Sequence, residues 1–448
     1  MISPARLAAY RSLRAAADPH ADLAATIESH RRGLSDERDR ALAGEIILGT
    51  LRWRAALDHV IAWAGHREIA AFDAEVLDLL RLSAYQLLHL DRVPASAVVH
   101  DAVDLCKHEG KASASGAVNA ILRHISRDRA HLPMPDEHDQ LNYLAITMSH
   151  PAWLAARWIG RLGFETALQW VRFNNQQAPV TLRANRLKTS RDDLAADLAA
   201  LGVTTTPARY APDGLVVTGG NPLTTPIASS GRFVVQDESS QLVAAFAGAR
   251  AGEKVLDTCA APGGKTSQMA ADVGAGGRLV ATDVRPRRVR LLVRTLRAAG
   301  ADAVQVVAAD LLAAMPFAPV FDCVLADVPC SGLATLRRDP DVKWRRTEPD
   351  LFSNADRQGR MLLSAAAMVR PGGRLIYSTC STEPEENEQV VEAFLAASPD
   401  FTLEPPLLDA GVDLPPGVMA CVDPAGYLRP TPHQHGLESF FAARLRRK

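Results

Sequence analysis

Two groups of residues have the types and spacing of reactive sites. The first is VLDTCAAPGGKTSQMA, residues 255–270, where an apolar run ends in Asp257 and passes through a Gly-Gly turn into a helix starting near Gly264. Glycines at a helix start let a ligand come close to backbone N–H groups. The dinucleotide pattern G-x-G-x-x-G is absent, and a phosphate loop fails because Cys259 stands where its first Gly must be. Asp283 lies 19 residues beyond Gly264 at the end of the next apolar run, where an acid can accept both ribose hydroxyls. A nucleoside without phosphates fits best, and S-adenosylmethionine is such a nucleoside. The competing reading is an ordinary glycine turn with a solvated Lys265. Against it, a cation at a helix N-terminus opposes the helix dipole, which argues for a task at Lys265.

The second group is Cys330, in the run Asp327-Val328-Pro329-Cys330, and Cys380, after the apolar run RLIYST. A lone free cysteine is most often a small core hydrophobe. Two cysteines that each follow a strand on the same side of one sheet argue instead for reactive thiols. The other four, Cys106, Cys259, Cys323 and Cys421, read as core or cofactor-wall residues. No C-x-x-C pair and no His at zinc-ligand spacing accompany them, so no metal is expected.

The elements that must position these groups follow from the hydrophobic pattern. At 448 residues, 47% hydrophobic and 23% charged, the chain has the profile of a globular protein of about three domains. Residues 1–135 read as all helical, with three- and four-residue apolar spacing over 39–53, 73–90, 96–108 and 113–126. Residues 136–245 read as a small α+β insert: a helix over 151–172, PVTLRAN, a helix over 190–201, then TTTPARY and GLVVTG. Over 246–448, apolar runs (KVLDT, RLVATD, AVQVVAAD, DCVLAD, RLIYST) alternate with helices, the mark of an α/β domain with a parallel sheet covered on both faces. Ligands sit at the carboxyl ends of such strands, where Asp257, Asp283, Asp310, Asp327 and Cys380 fall.

Lys+Arg number 50 and Asp+Glu 51, so charge alone makes no case for nucleic acid. No apolar run reaches the roughly 18 residues of a membrane span. The N-terminus lacks a signal-peptide core, which predicts a cytoplasmic chain with reduced thiols.

In order and spacing, CAAPGGKT, DVPCSG, RRDPDVKW and YSTCSTEPEENE resemble the RNA cytosine-C5 methyltransferases, the NOL/NOP/Sun family. The helical N-terminus followed by HPAWL, LRAN and QDESSQ resembles the bacterial small-subunit ribosomal RNA branch, the RsmB (Sun/Fmu) type. Residues 1–135 resemble the RNA-binding NusB domain. The resemblance implies a Rossmann-like methyltransferase domain that binds S-adenosylmethionine through Cys259, Ala260, Ala261, Pro262, Gly263, Gly264 and Lys265 with Asp283, Asp310 and Asp327, and Arg288 near the ribose. It also implies Cys380 as the nucleophile, Cys330 in product release or as base, Asp327 at the base edge and Lys265 in catalysis.

Carbon 5 of cytosine is too electron-poor to take a methyl group from a sulfonium, so a nucleophile must first add at carbon 6. A thiolate suits that step, and a second thiol can serve the later loss of the carbon-5 proton. The partner is then small-subunit ribosomal RNA, held by a monomer, with the target base unstacked. For the RNA backbone the best candidates are Arg337, Arg338, Lys343, Arg345 and Arg346, with Trp344 to pack or stack among them. The arginine stripe Arg287, Arg290, Arg294 and Arg297 reads more as a solvated helix face. Rival readings are a DNA cytosine methyltransferase, which uses the Pro-Cys thiol as nucleophile, and a non-catalytic RNA-binding or antitermination factor.

Overall fold

A computed structural model describes residues 2–18, 23–405 and 414–448. The chain divides into two compact units, Met1–Gln176 with Leu336–Arg346, and Gln177–Thr335 with Thr347–Lys448.

The first unit is helical. Its main helices are Pro4–Ala16, Leu23–Arg32, Glu37–Arg52, Arg54–Gly65, Ala74–His89, Ala95–His108, Ser115–Arg127, Ala152–Leu162 and Phe164–Asn175. Helix Glu37–Arg52 shows why they form: Asp36 accepts the Arg38 N–H at its start, Glu37 and Asp39 sit in its first turn and Arg52 in its last. Ile46, Ile47, Leu57, Leu80, Leu122 and Ile125, all buried, belong to the common core. The stretch 151–172, expected to be helical, forms two helices, because Gly163 adopts φ 77° between them.

The segment 336–346 corrects a second expectation. Lys343 donates to the Arg52 carbonyl at 2.9 Å, the Trp344 indole to Leu51 at 2.6 Å, and Arg345 to Ala16 at 3.1 Å. These carbonyls close the last turns of two helices, where backbone acceptors have no intrahelical partner and the dipole favours cations. Lys343 is 1% exposed, so it is not free to meet an RNA phosphate. Arg345 also pairs with Asp341 at 3.2 Å, and Arg337 lies over the Phe173 ring at 4.4 Å.

The second unit holds two sheets. The smaller is antiparallel, order β2-β3-β1-β4, built from β1 (Thr181–Ala184), β2 (Thr204–Pro207), β3 (Gly214–Gly219) and β4 (Phe233–Val235), with helix Arg191–Ala200. The larger has β5 (Lys254–Asp257), β6 (Arg278–Asp283), β7 (Gln305–Ala308), β8 (Phe321–Asp327), β9 (Val369–Thr379), β10 (Phe401–Leu403) and β11 (Phe441–Arg447), in the order β10-β11-β9-β8-β5-β6-β7. β5 to β9 are parallel, as expected. β10 and β11 run antiparallel at one edge, so the sheet is mixed rather than purely parallel.

Alternate strand residues serve opposite faces. Leu256, Val324, Leu375 and Tyr377 pack in one core with Met361 and Leu362, while Val255, Cys323, Leu325 and Ile376 pack in another with Leu242 and Phe246. Helices on both faces explain why these strands read as continuous apolar runs. Among the described residues, no helix is long and apolar enough to cross a membrane.

Candidate active site

β8 and β9 lie side by side in parallel, with Asp327 opposite Ser378. The loops that follow therefore start together, and each carries a cysteine within three residues. The Sγ atoms of Cys330 and Cys380 are 3.1 Å apart, and the Cys380 backbone N–H also donates to Cys330 Sγ at 3.2 Å. Both cysteines are free. The hydrogen bond to Cys380, burial and the nearby Glu386 charge push the Cys330 thiol well above its usual range, so Cys330 keeps its proton.

Asp327 is gripped from two sides. Lys265 Nζ donates to Oδ2 at 2.6 Å and Ser378 Oγ to Oδ1 at 2.7 Å. Burial by itself would lower the Lys265 pKa, but Asp327, with Cys380 and Asp257 beyond it, holds it above the ordinary lysine value. The ammonium is thus a fixed cation facing both a carboxylate and a thiol, which accounts for a lysine in the first turn of helix Gly264–Val273 despite the helix dipole.

A cleft of about 410 Å³ opens over these groups, within the roughly 300–1,000 Å³ usual for small-molecule sites. Its walls include Cys259, Ala261, Lys265, Asp283, Arg288, Asp310, Asp327, Cys330 and Cys380, so cofactor and thiol candidates share one space. Asp283, 5% exposed, accepts the Arg285 N–H at 3.2 Å and pairs with Arg288 at 3.2 Å. Arg288 also donates to the Ala261 carbonyl, tying the turn to the next helix. The exposed Asp310 lies two residues past the end of β7 rather than at it. A buried acid, Asp283, a second acid, Asp310, and a walled cleft suit S-adenosylmethionine.

Ala260, Pro262, Gly263 and Gly264 do not line this cleft. Gly263 has φ 109°, and a Cβ there would stand 3.0 Å from Leu292. The turn needs glycine for its backbone angle and for packing against helix Pro286–Ala299. Asp257, read as one of four strand-end acids of the site, is 1% exposed and does not line the cleft either. It accepts the Thr266 hydroxyl at 2.7 Å, anchoring the helix start, and burial pushes its pKa up to about 7 with help from Asp327. Cys259 is a wall residue whose thiol burial shifts upward.

Several residues of the site had no role in the sequence reading. Ser378 belongs to the YSTCS run and could have been suspected from its place two residues before Cys380. Arg357 and Met361 enter from helix Glu348–Ala366 and Phe440 from the residue before β11, with no local signal to mark them. The ring of Phe440 lies 5.7 Å from Lys265 Nζ. From β1, the buried Arg183 donates to the Gly264 carbonyl at 3.1 Å and to Ser267 Oγ at 2.7 Å. Asn185 bonds the Ala299 carbonyl at 2.7 Å. The LRAN run thus supports the cofactor turn from beneath.

A family profile described as 16S rRNA methyltransferase RsmB/F matches residues 245–446. Profiles for the NusB family and for a Methyltr_RsmF/B-like ferredoxin-like domain match residues 3–127 and 150–224. A Bacillus subtilis protein named "Probable ribosomal RNA small subunit methyltransferase B" is 34% identical, covering 93% of this chain and 92% of its own. The Pseudomonas putida protein named "Ribosomal RNA small subunit methyltransferase B" is 33% identical, covering 94% of this chain and 96% of its own. The crystal structure of a methyltransferase homolog protein from Pyrococcus horikoshii superposes with a TM-score of 0.58 at 29% identity, covering 69% of this chain and 99% of that one.

Proposed function

Because the chain belongs to the RsmB/F family of 16S rRNA methyltransferases and takes S-adenosylmethionine as cofactor, we propose that it forms 5-methylcytosine in small-subunit ribosomal RNA through a covalent cysteine adduct. The observation that carries this reading is the contact between two free thiols, 3.1 Å apart, in the same cleft as Asp283 and Asp327. A methyltransferase acting on a heteroatom needs no nucleophile of its own, let alone a pair.

S-adenosylmethionine supplies an electrophilic methyl group when bound, and Asp283, Asp310 and Arg288 would hold it with the turn from Cys259 to Lys265. Cys380 is the nucleophile. Its sulfur, which interacts electrostatically with the Lys265 ammonium, adds as thiolate to carbon 6 of the cytosine ring and drives the ring electrons toward carbon 5. Asp327 bonds the base edge and stabilises the adduct as ring charge changes, its own geometry fixed by Lys265 and Ser378.

Once carbon 5 is methylated, its proton must leave. The hydrogen bond to Cys380 comes first among the causes, with burial and the Glu386 charge, that raise the Cys330 pKa above the ordinary thiol value. That hydrogen bond is lost when the Cys380 sulfur is bonded to carbon, which eases ionisation of Cys330 for its role as the base. Removal of the carbon-5 proton returns its electron pair to the ring and expels the Cys380 thiolate. RNA selection is assigned to residues 1–135 and 136–245, and the chemistry to 246–448. The test is methyl transfer from tritiated cofactor to small-subunit ribosomal RNA, followed by bisulfite sequencing of RNA from cells with and without the gene. Label without a new bisulfite-resistant cytosine would exclude the carbon-5 reading.

A further inference from the structure

The run EPEENE contributes a residue with no part in the chemistry above. Glu386, in the turn Pro384–Glu386, is fully buried. Its Oε1 accepts the Ser331 N–H at 2.8 Å and the Gln358 amide at 3.0 Å. Its Oε2 accepts the Ser331 hydroxyl at 2.5 Å and the Ser381 hydroxyl at 2.5 Å. Ser331 directly follows Cys330, and Ser381 directly follows Cys380. One carboxylate thus holds the neighbour of each thiol.

The surrounding bonds fix the carboxylate in turn. Tyr377 OH, from β9, donates to the Glu386 carbonyl at 2.5 Å, and Gln358 also donates to the carbonyl of Pro329, the residue before Cys330, at 3.0 Å. None of the four donors to the carboxylate, which come from Ser331, Gln358 and Ser381, is charged. Burying a charge among neutral donors costs more than an apolar contact of the same volume, so tying two loops together for stability alone does not call for it. A carboxylate supplies two rigidly spaced acceptors that can take four donors at once, which no neutral side chain does.

We propose that Glu386 is a positioning residue, whose carboxylate sets the register of the Cys330 and Cys380 loops and so keeps the two sulfurs in contact. It touches neither RNA nor cofactor. The kinetic consequence rests on the covalent-thiol reading above, whereas the geometric consequence does not, and the experiment separates the two.

Full-length wild type, Glu386→Gln, Glu386→Ala and Ser381→Ala are compared in three ways. The first is kcat and KM for S-adenosylmethionine with ribosomal RNA. The second is thermal stability. The third is the rate at which diamide closes a Cys330–Cys380 disulfide, two S–H bonds giving one S–S bond while the N=N bond of diamide takes up both hydrogens. We expect kcat to fall at least tenfold in Glu386→Gln and a hundredfold in Glu386→Ala, with KM for the cofactor within twofold. Disulfide closure should slow at least tenfold in Glu386→Ala. Wild-type closure rates in both Glu386 variants would overturn the proposal, as would losses of kcat, cofactor binding and stability in proportion. Should the Glu386 variants not fold, Ser381→Ala decides, because it removes one arm only, and unchanged kcat and closure there would sink the idea. A wild type that methylates no cytosine refutes the covalent reading, and diamide closure still judges Glu386.

Discussion

Cys330 Sγ lies 3.1 Å from Cys380 Sγ, although 50 residues separate the two in the chain. The contact exists because β8 and β9 are parallel neighbours in register, with Asp327 beside Ser378. Both thiols reach the cleft that Asp283 and Lys265 also line, so the proposed nucleophile and the residue proposed to end the reaction are in contact within it.

Their division of labour is open to direct test. Cys380→Ser should form no stable bond to RNA and be inactive, serine being a far poorer nucleophile near neutral pH. Cys330→Ala should still add and methylate but fail to release, so that a protein–RNA adduct builds up on a denaturing gel. An adduct that persists in Cys380→Ser and vanishes in Cys330→Ala would reverse the assignment.

Lys265 faces both Asp327 and Cys380. In a Cys330→Ala background, Lys265→Met should slow alkylation of Cys380 by iodoacetamide at pH 7 at least threefold, since the sulfur loses a cation that interacts with it. An unchanged rate would confine Lys265 to holding Asp327.

Asp283 is buried, with one oxygen on Arg288 and the other on a backbone N–H. Loss of a charged hydrogen bond costs roughly 1.5–3 kcal/mol, and about 1.4 kcal/mol is tenfold in affinity. Calorimetry should therefore find S-adenosylmethionine at least about tenfold weaker on Asp283→Ala, with the fold retained; full affinity would mean the ribose lies elsewhere.

Asp257 gives stability a pH dependence of definite sign. Its folded pKa is about 7 against 3.8 for a free side chain, chiefly through burial, so between those values the native state holds a proton that the unfolded chain lacks. The contribution is fully present below pH 4 and is lost as pH rises through 7. Relative to wild type, Asp257→Asn should gain at least about 2–4 °C in Tm between pH 4 and pH 8, the shift for roughly 1 kcal/mol in a domain this size. A difference independent of pH would show that Asp257 does not titrate in this range.

Lys343 is a buried ammonium whose pKa burial and Arg52 push well below the lysine value. Its side chain donates to the Arg52 carbonyl. Lys343→Met should leave RNA affinity, by filter binding over a salt series, within twofold of wild type. A drop in affinity and in salt slope would restore it as a phosphate contact.

How much of this was legible in the sequence differs from residue to residue. The helix positions, the parallel strands and the Gly-Gly turn were readable because each rests on local signals: apolar period, glycines after a buried run, an acid at a strand end. Cys330 and Cys380 could be named because each follows an apolar strand, and Asp283 because it ends one. Their distances could not be read, since strand order decides which loop ends become neighbours, and order is a property of the whole sheet. The antiparallel strands β10 and β11 escaped for the same reason, being short or placed only by pairing with β9.

Burial was the other hidden quantity. Asp257 and Asp283 each end a strand in the same way, yet one anchors a hydroxyl in the core and the other lines the cleft. Lys343 and Trp344 looked like an exposed basic run until helix ends elsewhere in the chain supplied their acceptors. Residue type tells what a side chain can bond, but only tertiary structure brings up the partner, and for charged groups in low dielectric the partner decides both energy and role.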